Sequence, residues 1–157
     1  MKSMNLLKDD NAVAVSLGFI LMFAVSIIVF STVVLSFYDL TENMKEEAMR
    51  ESFRMLGSRL SIELTTVDII MNTTESYGGT VNLLEYEFTA PASIAAEGYT
   101  INITNATNEV ILESEYTRSV TPFNVSSEFN GRKLYSGAEN YKFSYDAAGN
   151  TINIEEI

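Results

Sequence analysis

Cysteine, histidine and tryptophan are absent from this chain of 157 residues, and proline occurs only twice. Without cysteine there is no disulfide framework and no thiolate metal site, and the composition carries no mark of redox compartment. Without histidine there is no Ser-His-Asp triad, no imidazole base and no ordinary zinc site. A carboxylate-only metal site or a Ser-Lys pair is all that remains of those chemistries. Positive charge is also scarce: 10 Lys and Arg stand against 21 Asp and Glu, a net charge of −11. Nucleic acid, whose phosphates demand a basic footprint, is therefore not an expected partner. The length suits one modest domain with an appendage. Yet the mean hydropathy is +0.09, high for so acidic a chain.

The apolar excess sits in one place. Residues 12–38 contain no charge, and Ser16, Ser26, Ser31, Thr32 and Ser36 are the only polar interruptions. As a helix these positions would extend about 40 Å, against a hydrocarbon core of about 30 Å, so the segment can span a bilayer with some tilt. A cleavable secretory signal fits less well, because the run is about twice a usual signal core and no small-x-small site closes it. Residues 1–38 are balanced, Lys2 and Lys8 against Asp9 and Asp10, so the whole negative charge lies beyond the span. Four glycan acceptor sequons, at Asn72, Asn102, Asn105 and Asn124, also lie C-terminal to it. The sequons, together with a weak bias of flanking Lys and Arg toward the head, favour a single pass with the N-terminal head inside and the C-terminal domain outside.

Past the span the period stays helical. Met49, Phe53, Leu56, Leu60, Leu64, Val67 and Met71 recur three or four apart, forming one apolar stripe. The opposite face pairs Glu42 with Lys45, Glu46 with Arg50, Glu51 with Arg54 and Arg59 with Glu63. Gly18 and Gly57 are the only glycines between Ala12 and Met71, so one helix, with a kink allowed at Gly57, accounts for the whole stretch. The stripe is expected to pack beneath a sheet; a coiled-coil partner is the rival use.

From Tyr77-Gly-Gly onward the pattern becomes β. Segments 81–88, 99–104, 109–115 and 141–145 are rich in β-branched and aromatic residues, with a short partner at 151–154. Turns are expected at Asn105-Ala-Thr-Asn108 and between Asp146 and Asn150, and Asn130-Gly131 signals a further hairpin between Val125 and Leu134. The expected fold class is α+β: a long N-terminal transmembrane helix continuing into an amphipathic helix packed on a small, mainly antiparallel sheet. Residues 1–11 form a charged head, 12–38 the span, 39–76 the amphipathic helix and 77–157 the outer β domain.

Chemistry is thinly represented. Glu46-Glu47 suits a solvated helix face better than a catalytic pair. The Asp146–Asn150 turn lacks the alternating oxygens of a calcium loop. Gly78-Gly79 is a turn, with no Lys-Ser/Thr following it as a phosphate loop requires. The chain is read as a non-enzyme with no cofactor and no metal. Inside the span, however, Ala14, Gly18, Val25, Val29, Thr32 and Ser36 fall within about 60° of one face. Ala14 with Gly18, and Thr32 with Ser36, are small-xxx-small pairs of the kind that let helices approach closely in lipid. The same residues also suit a simple anchor.

The run Lys8-Asp-Asp-Asn-Ala-Val-Ala-Val-Ser-Leu-Gly-Phe-Ile-Leu-Met-Phe23 resembles the start of archaeal type IV pilin-like proteins. Those begin with a short charged head, often ending in acidic residues, followed directly by an apolar segment. The resemblance covers about 30 residues, with Asn11 and Leu17 standing where the family carries a charged residue and a proline. It implies a pilin-like fold and cutting by a prepilin peptidase near Ala12 and Val13. It also implies assembly with copies of the chain or other pilin-like subunits through the apolar helix. Two functions follow as expectations. One is a structural subunit, major or minor, of an archaeal cell-surface filament. The other is an uncut single-pass membrane protein whose outer domain binds a surface-layer or other envelope component.

Overall fold

The computed structural model describes residues 9–137, 140–147 and 149–157. Its order is α1 (Asp9–Ser76), β1 (Leu83–Thr89), β2 (Thr100–Thr104), β3 (Glu109–Glu113), β4 (Arg118–Pro122), β5 (Glu128–Phe129), β6 (Arg132–Tyr135), β7 (Asn140–Asp146) and β8 (Thr151–Glu156). The chain is α+β, one long N-terminal apolar helix followed by antiparallel-dominated sheets. It divides after Met44 into two units.

In the first unit α1 is helical from Asp9 onward, and every residue from 13 to 44 is exposed. Leu, Ile, Val, Phe and Met dominate this stretch, and no other described part of the chain covers them.

In the second unit α1 runs through Gly57 without a break. The glycine is explained by proximity: a Cβ there would lie 2.5 Å from Thr121 Oγ1 and 3.1 Å from Leu112 Cδ1. The helix ends in a Schellman motif. Gly79 N donates to Thr74 O at 2.9 Å and Gly78 N to Glu75 O at 2.9 Å, with Gly78 at φ +77°. Glycine reaches that left-handed conformation without a Cβ clash.

Two four-stranded sheets follow, where a single small sheet was expected. One has the order β1-β7-β8-β5, antiparallel except for the short parallel β5·β8 pair. The other, β4-β3-β2-β6, is antiparallel throughout. The β2–β3 hairpin turns at Asn105–Asn108 and the β7–β8 hairpin between Asp146 and Thr151, as the turn residues indicate. Asn130-Gly131 does not make a hairpin. It carries the chain from β5 in one sheet to β6 in the other, and Asn130 N donates to Ile152 O at 2.9 Å. A Cβ on Gly131 would sit 2.8 Å from Ile103 O, so the glycine serves the close approach of two backbones. Arg132 Nη1 fastens the same corner by donating to Ile154 O at 3.0 Å.

Alternating strand residues build one core. Ile101, Ile103, Val110, Leu112 and Leu134 from one sheet join Phe88, Tyr141, Phe143, Ile152 and Ile154 from the other, all buried. Phe88 stacks on Phe143 and Tyr141 at 4.6 and 5.4 Å between centroids. All seven residues of the helical stripe, from Met49 to Met71, are buried in this same cluster. Burying each such side chain stabilises by about 1.5–3 kcal/mol. The stripe is thus sheet-facing core, which is why α1 holds one face inward and leaves the other free.

Candidate functional site: the uncovered faces of the helix

The first uncovered surface belongs to residues 13–44. The most apolar 18-residue window of α1 has mean hydropathy 2.8 and none of it is buried, so the helix is long and apolar enough to cross a membrane. Ala12 and Val13 lie within α1; residues 1–8 of the head fall outside the described residues, and so does the side chain of Ala12. Ala14, Gly18, Val25, Val29, Thr32 and Ser36 are all exposed, and a Cβ on Gly18 would meet nothing within 4 Å. Three hydroxyls on this helix, those of Thr32 and Ser36 on this face and of Ser26, are already engaged. Ser26 donates to Met22 O at 2.9 Å, Thr32 to Ile28 O at 2.9 Å and Ser36 to Thr32 O at 2.9 Å. The face therefore offers close approach rather than free donors. Thr32, Val33, Ser36, Phe37 and Leu40 border a shallow apolar groove of about 210 Å³.

The second uncovered surface lies on the outer half of α1, away from the stripe. Met55, Ile62 and Ile69 are 60%, 66% and 56% exposed. A groove of about 680 Å³ runs beside Met55 and Ile62, bordered also by Glu51, Arg54, Ser58, Arg59, Glu63 and Tyr86. The sequence places Arg59 and Glu63 together on a solvated face. The pair is real, with Arg59 Nε donating to Glu63 Oε1 at 2.7 Å, but the Glu63 side chain is only 8% exposed. Its other oxygen, Oε2, is buried with no partner. The carboxylate holds the Arg59 guanidinium above its ordinary value. A signal for this was present: Glu63 adjoins Leu64, at the margin of the stripe.

Of the other expected helical pairs, Glu46 meets Arg50 at 2.6 Å, whereas Lys45 turns to Glu97 at 3.2 Å. Asp68, likewise buried, is fully employed: its two oxygens accept from Ser126 N at 3.0 Å and Ser127 N at 2.9 Å, fixing the connection from β4 to β5. The turn that presents Glu97 is strained, because Ala95 and Ala96 both adopt left-handed φ, 52° and 65°. Ile94 N and O bond Glu97 O and N, both at 3.0 Å, closing a two-residue reversal of the type that favours Asn-Gly.

A third surface is a cleft of about 560 Å³ at one end of the β4-β3-β2-β6 sheet, bordered by Thr100, Glu113, Ser114, Lys133, Tyr135 and Ser136 among others. Lys133 Nζ lies 5.7 Å from the Tyr135 ring centroid. The neighbouring Tyr99 hydroxyl donates to Pro91 O at 2.6 Å, and burial pushes its pKa up to about 12. The four sequons are scattered. Asn72 is exposed on α1, Asn102 is half-buried in β2, Asn105 is exposed in the β2–β3 turn and Asn124 is exposed after β4. Among the described residues no group of three or more acidic side chains is placed to hold a metal ion.

Compared with family models, with curated proteins and with solved structures, the chain matches none.

Proposed function

We propose that this chain is a pilin-like structural subunit, major or minor, of an archaeal cell-surface filament, held first in the membrane and then in the filament by its N-terminal apolar helix. One observation carries the reading: α1 is uncovered on every side from residue 13 to residue 44, while farther along the same helix one face is sealed against two sheets. Water cannot be the partner of so much apolar surface. Lipid satisfies it in the bilayer, and copies of the same helix satisfy it in a filament core. The small residues from Ala14 to Ser36 suit the second surrounding. The acidic domain, with Asn72, Asn105 and Asn124 exposed for glycans, suits an outward face that stays hydrated and resists promiscuous association. On this reading a prepilin peptidase removes the head near Ala12 and Val13, and the chain is a non-enzyme without cofactor.

The test is the intact mass of the protein sheared from its native cell surface. Loss of about twelve N-terminal residues, dependent on the peptidase, supports the filament subunit, and glycans add mass in the same spectrum. Full-length protein found only in the membrane fraction overturns it. That outcome favours the second reading, an uncut single-pass protein that binds a surface-layer component, for which the cleft beside exposed Tyr135 supplies a site.

A further inference from the structure

Among the described residues the two sheets present four edges, and three of them are short or engaged. β5 has two residues. β4 ends at Pro122, whose carbonyl accepts the Ser61 hydroxyl of α1 at 2.9 Å. β6 is held at both ends, by Arg132 Nη1 on Ile154 O at 3.0 Å and by the Tyr141 hydroxyl donating to Tyr135 O at 2.6 Å. β1 differs: it is seven residues long and pairs with β7 on one side only.

The alternation of an antiparallel ladder identifies the free backbone groups of β1. Asn140 O accepts from Ile157 N at 3.1 Å, so the backbone of Asn140 points to the β8 side. Tyr141, Phe143 and Tyr145 therefore point to β1, where Phe88, Tyr86 and Leu84 bond them. The N–H and C=O groups of Leu83, Glu85 and Glu87 point the other way, out of the sheet, and no partner among the described residues meets them. Such a row is a template for another strand.

The two sides of this edge differ in chemistry. On the inner side Tyr86 borders the groove of about 680 Å³ together with Met55, Ile62 and Glu63 of α1. A strand laid along β1 at about 4.8 Å would place every second side chain over that groove, against exposed Met55 and Ile62. Glu63 Oε2, buried without a donor, lies in the same wall. On the outer side Glu85 and Glu87 share one exposed face. Lys142 Nζ is divided between Glu85 at 2.8 Å and Glu155 at 3.2 Å, which leaves Glu87 without a cation among the described residues. A second β1 centred on this strand would set these carboxylates against their like, which is destabilising across strands. A strand with Lys or Arg at alternate positions meets them favourably, at about 5 Å between facing Cβ atoms.

We propose that β1 is a docking edge that takes an extended segment of another protein, alternating apolar residues with Lys or Arg, as an added strand of its sheet. The apolar side chains of that segment cover Met55 and Ile62, and its cations face Glu85 and Glu87. This partner lies beyond the filament reading and does not depend on it.

The probe is a synthetic peptide of alternating Lys and Val, blocked at both ends and labelled with fluorescein, titrated onto the full-length chain in detergent. Saturable binding is expected, with amide hydrogen exchange at Glu85 and Glu87 slowed in the complex. In the free chain those two amides should exchange fast, while those of Leu84, Tyr86 and Phe88 exchange slowly. Glu87→Gln removes charge alone. Glu87→Pro also removes an outward N–H and leaves the β7 ladder untouched, so it should weaken binding about tenfold further. Slow exchange at Leu84 and Tyr86 confirms that the variant is folded. A Lys-Val peptide with a central proline, and a peptide of alternating Glu and Val, should not bind. No saturable binding, equal binding of the proline-bearing peptide, or equal binding by Glu87→Gln and Glu87→Pro overturns strand addition. Slow exchange at Glu85 and Glu87 in the dilute free chain overturns the open edge. Equal binding of the Glu-Val peptide overturns the basic partner. Protection of these amides that rises with protein concentration and needs no peptide assigns the edge to a second copy and overturns it too.

Discussion

Arg59 and Glu63 sit one turn apart on α1 with 2.7 Å between Nε and Oε1, yet the arginine side chain is 53% exposed and the glutamate 8%. The glutamate has left water, and among the described residues Arg59 is its only partner. Arg59→Ala is therefore expected to destabilise by about 3 kcal/mol, because it strands a buried charge. Glu63→Met, which removes the unpaired oxygen altogether, should leave stability unchanged or raise it. Urea unfolding of the full chain in detergent, followed by near-UV circular dichroism, checks both; equal losses from the two variants would contradict the asymmetry.

The reversal at Ala95-Ala96 holds two alanines in a left-handed conformation that costs about 1 kcal/mol or more per residue. Replacing them by Ala95→Asn and Ala96→Gly supplies residues that adopt it readily. The expected gain is about 1–2 kcal/mol in the same unfolding experiment, with Ile94 and the Lys45–Glu97 pair undisturbed.

Gly131→Ala should do the opposite. Its Cβ would meet the carbonyl oxygen of Ile103, a backbone atom held in β2, at 2.8 Å. A loss of about 1–3 kcal/mol is expected. Gly137→Ala, where a Cβ meets nothing within 4 Å, serves as the control and should change little.

Alkaline unfolding is expected to involve Tyr99. Its pKa rises from 10 to about 12 because burial disfavours the phenolate. The unfolded chain loses this proton first, so the folded state keeps its full stability below pH 10 and loses it as pH climbs from 10 to 12. Tyr141 and Tyr145 are raised in the same direction, chiefly by burial. Tyr99→Phe should remove about 2 kcal/mol of that decline, read as a smaller fall in unfolding midpoint between pH 9 and 12.

Gly18→Leu separates anchoring from assembly. The position is open, so the substitution leaves the helix and its insertion intact. Under the filament reading it should abolish filaments recovered by shearing while membrane content stays constant. Normal filaments from this variant would show that the small-residue face is not a packing surface.

Much of the fold was legible because period carries it. The stripe from Met49 to Met71 and the alternation of Tyr141, Phe143 and Tyr145 each name the buried side of an element. The Asn130-Gly131 dipeptide misled, since its hairpin signature is local while its use here is set by Ile103 and Ile152, distant in sequence. β4 passed unread because Arg118-Ser-Val-Thr-Pro122 has a single apolar β-former, and pairing with β3 rather than propensity makes it a strand. Glu63 was read as solvated because charge patterning cannot tell the margin of a stripe from its opposite face. The line through Met55, Ile62 and Ile69 was in plain view as spacing, but its meaning depended on knowing which face the sheets had already taken.

The serine and threonine hydroxyls that bond back to Met22, Ile28 and Thr32 have one more effect. Each donor brings its own acceptor with it, so moving the helix from one oily medium to another breaks none of these bonds. At these three positions the segment is portable, and the preference between surroundings is left to shape and contact area.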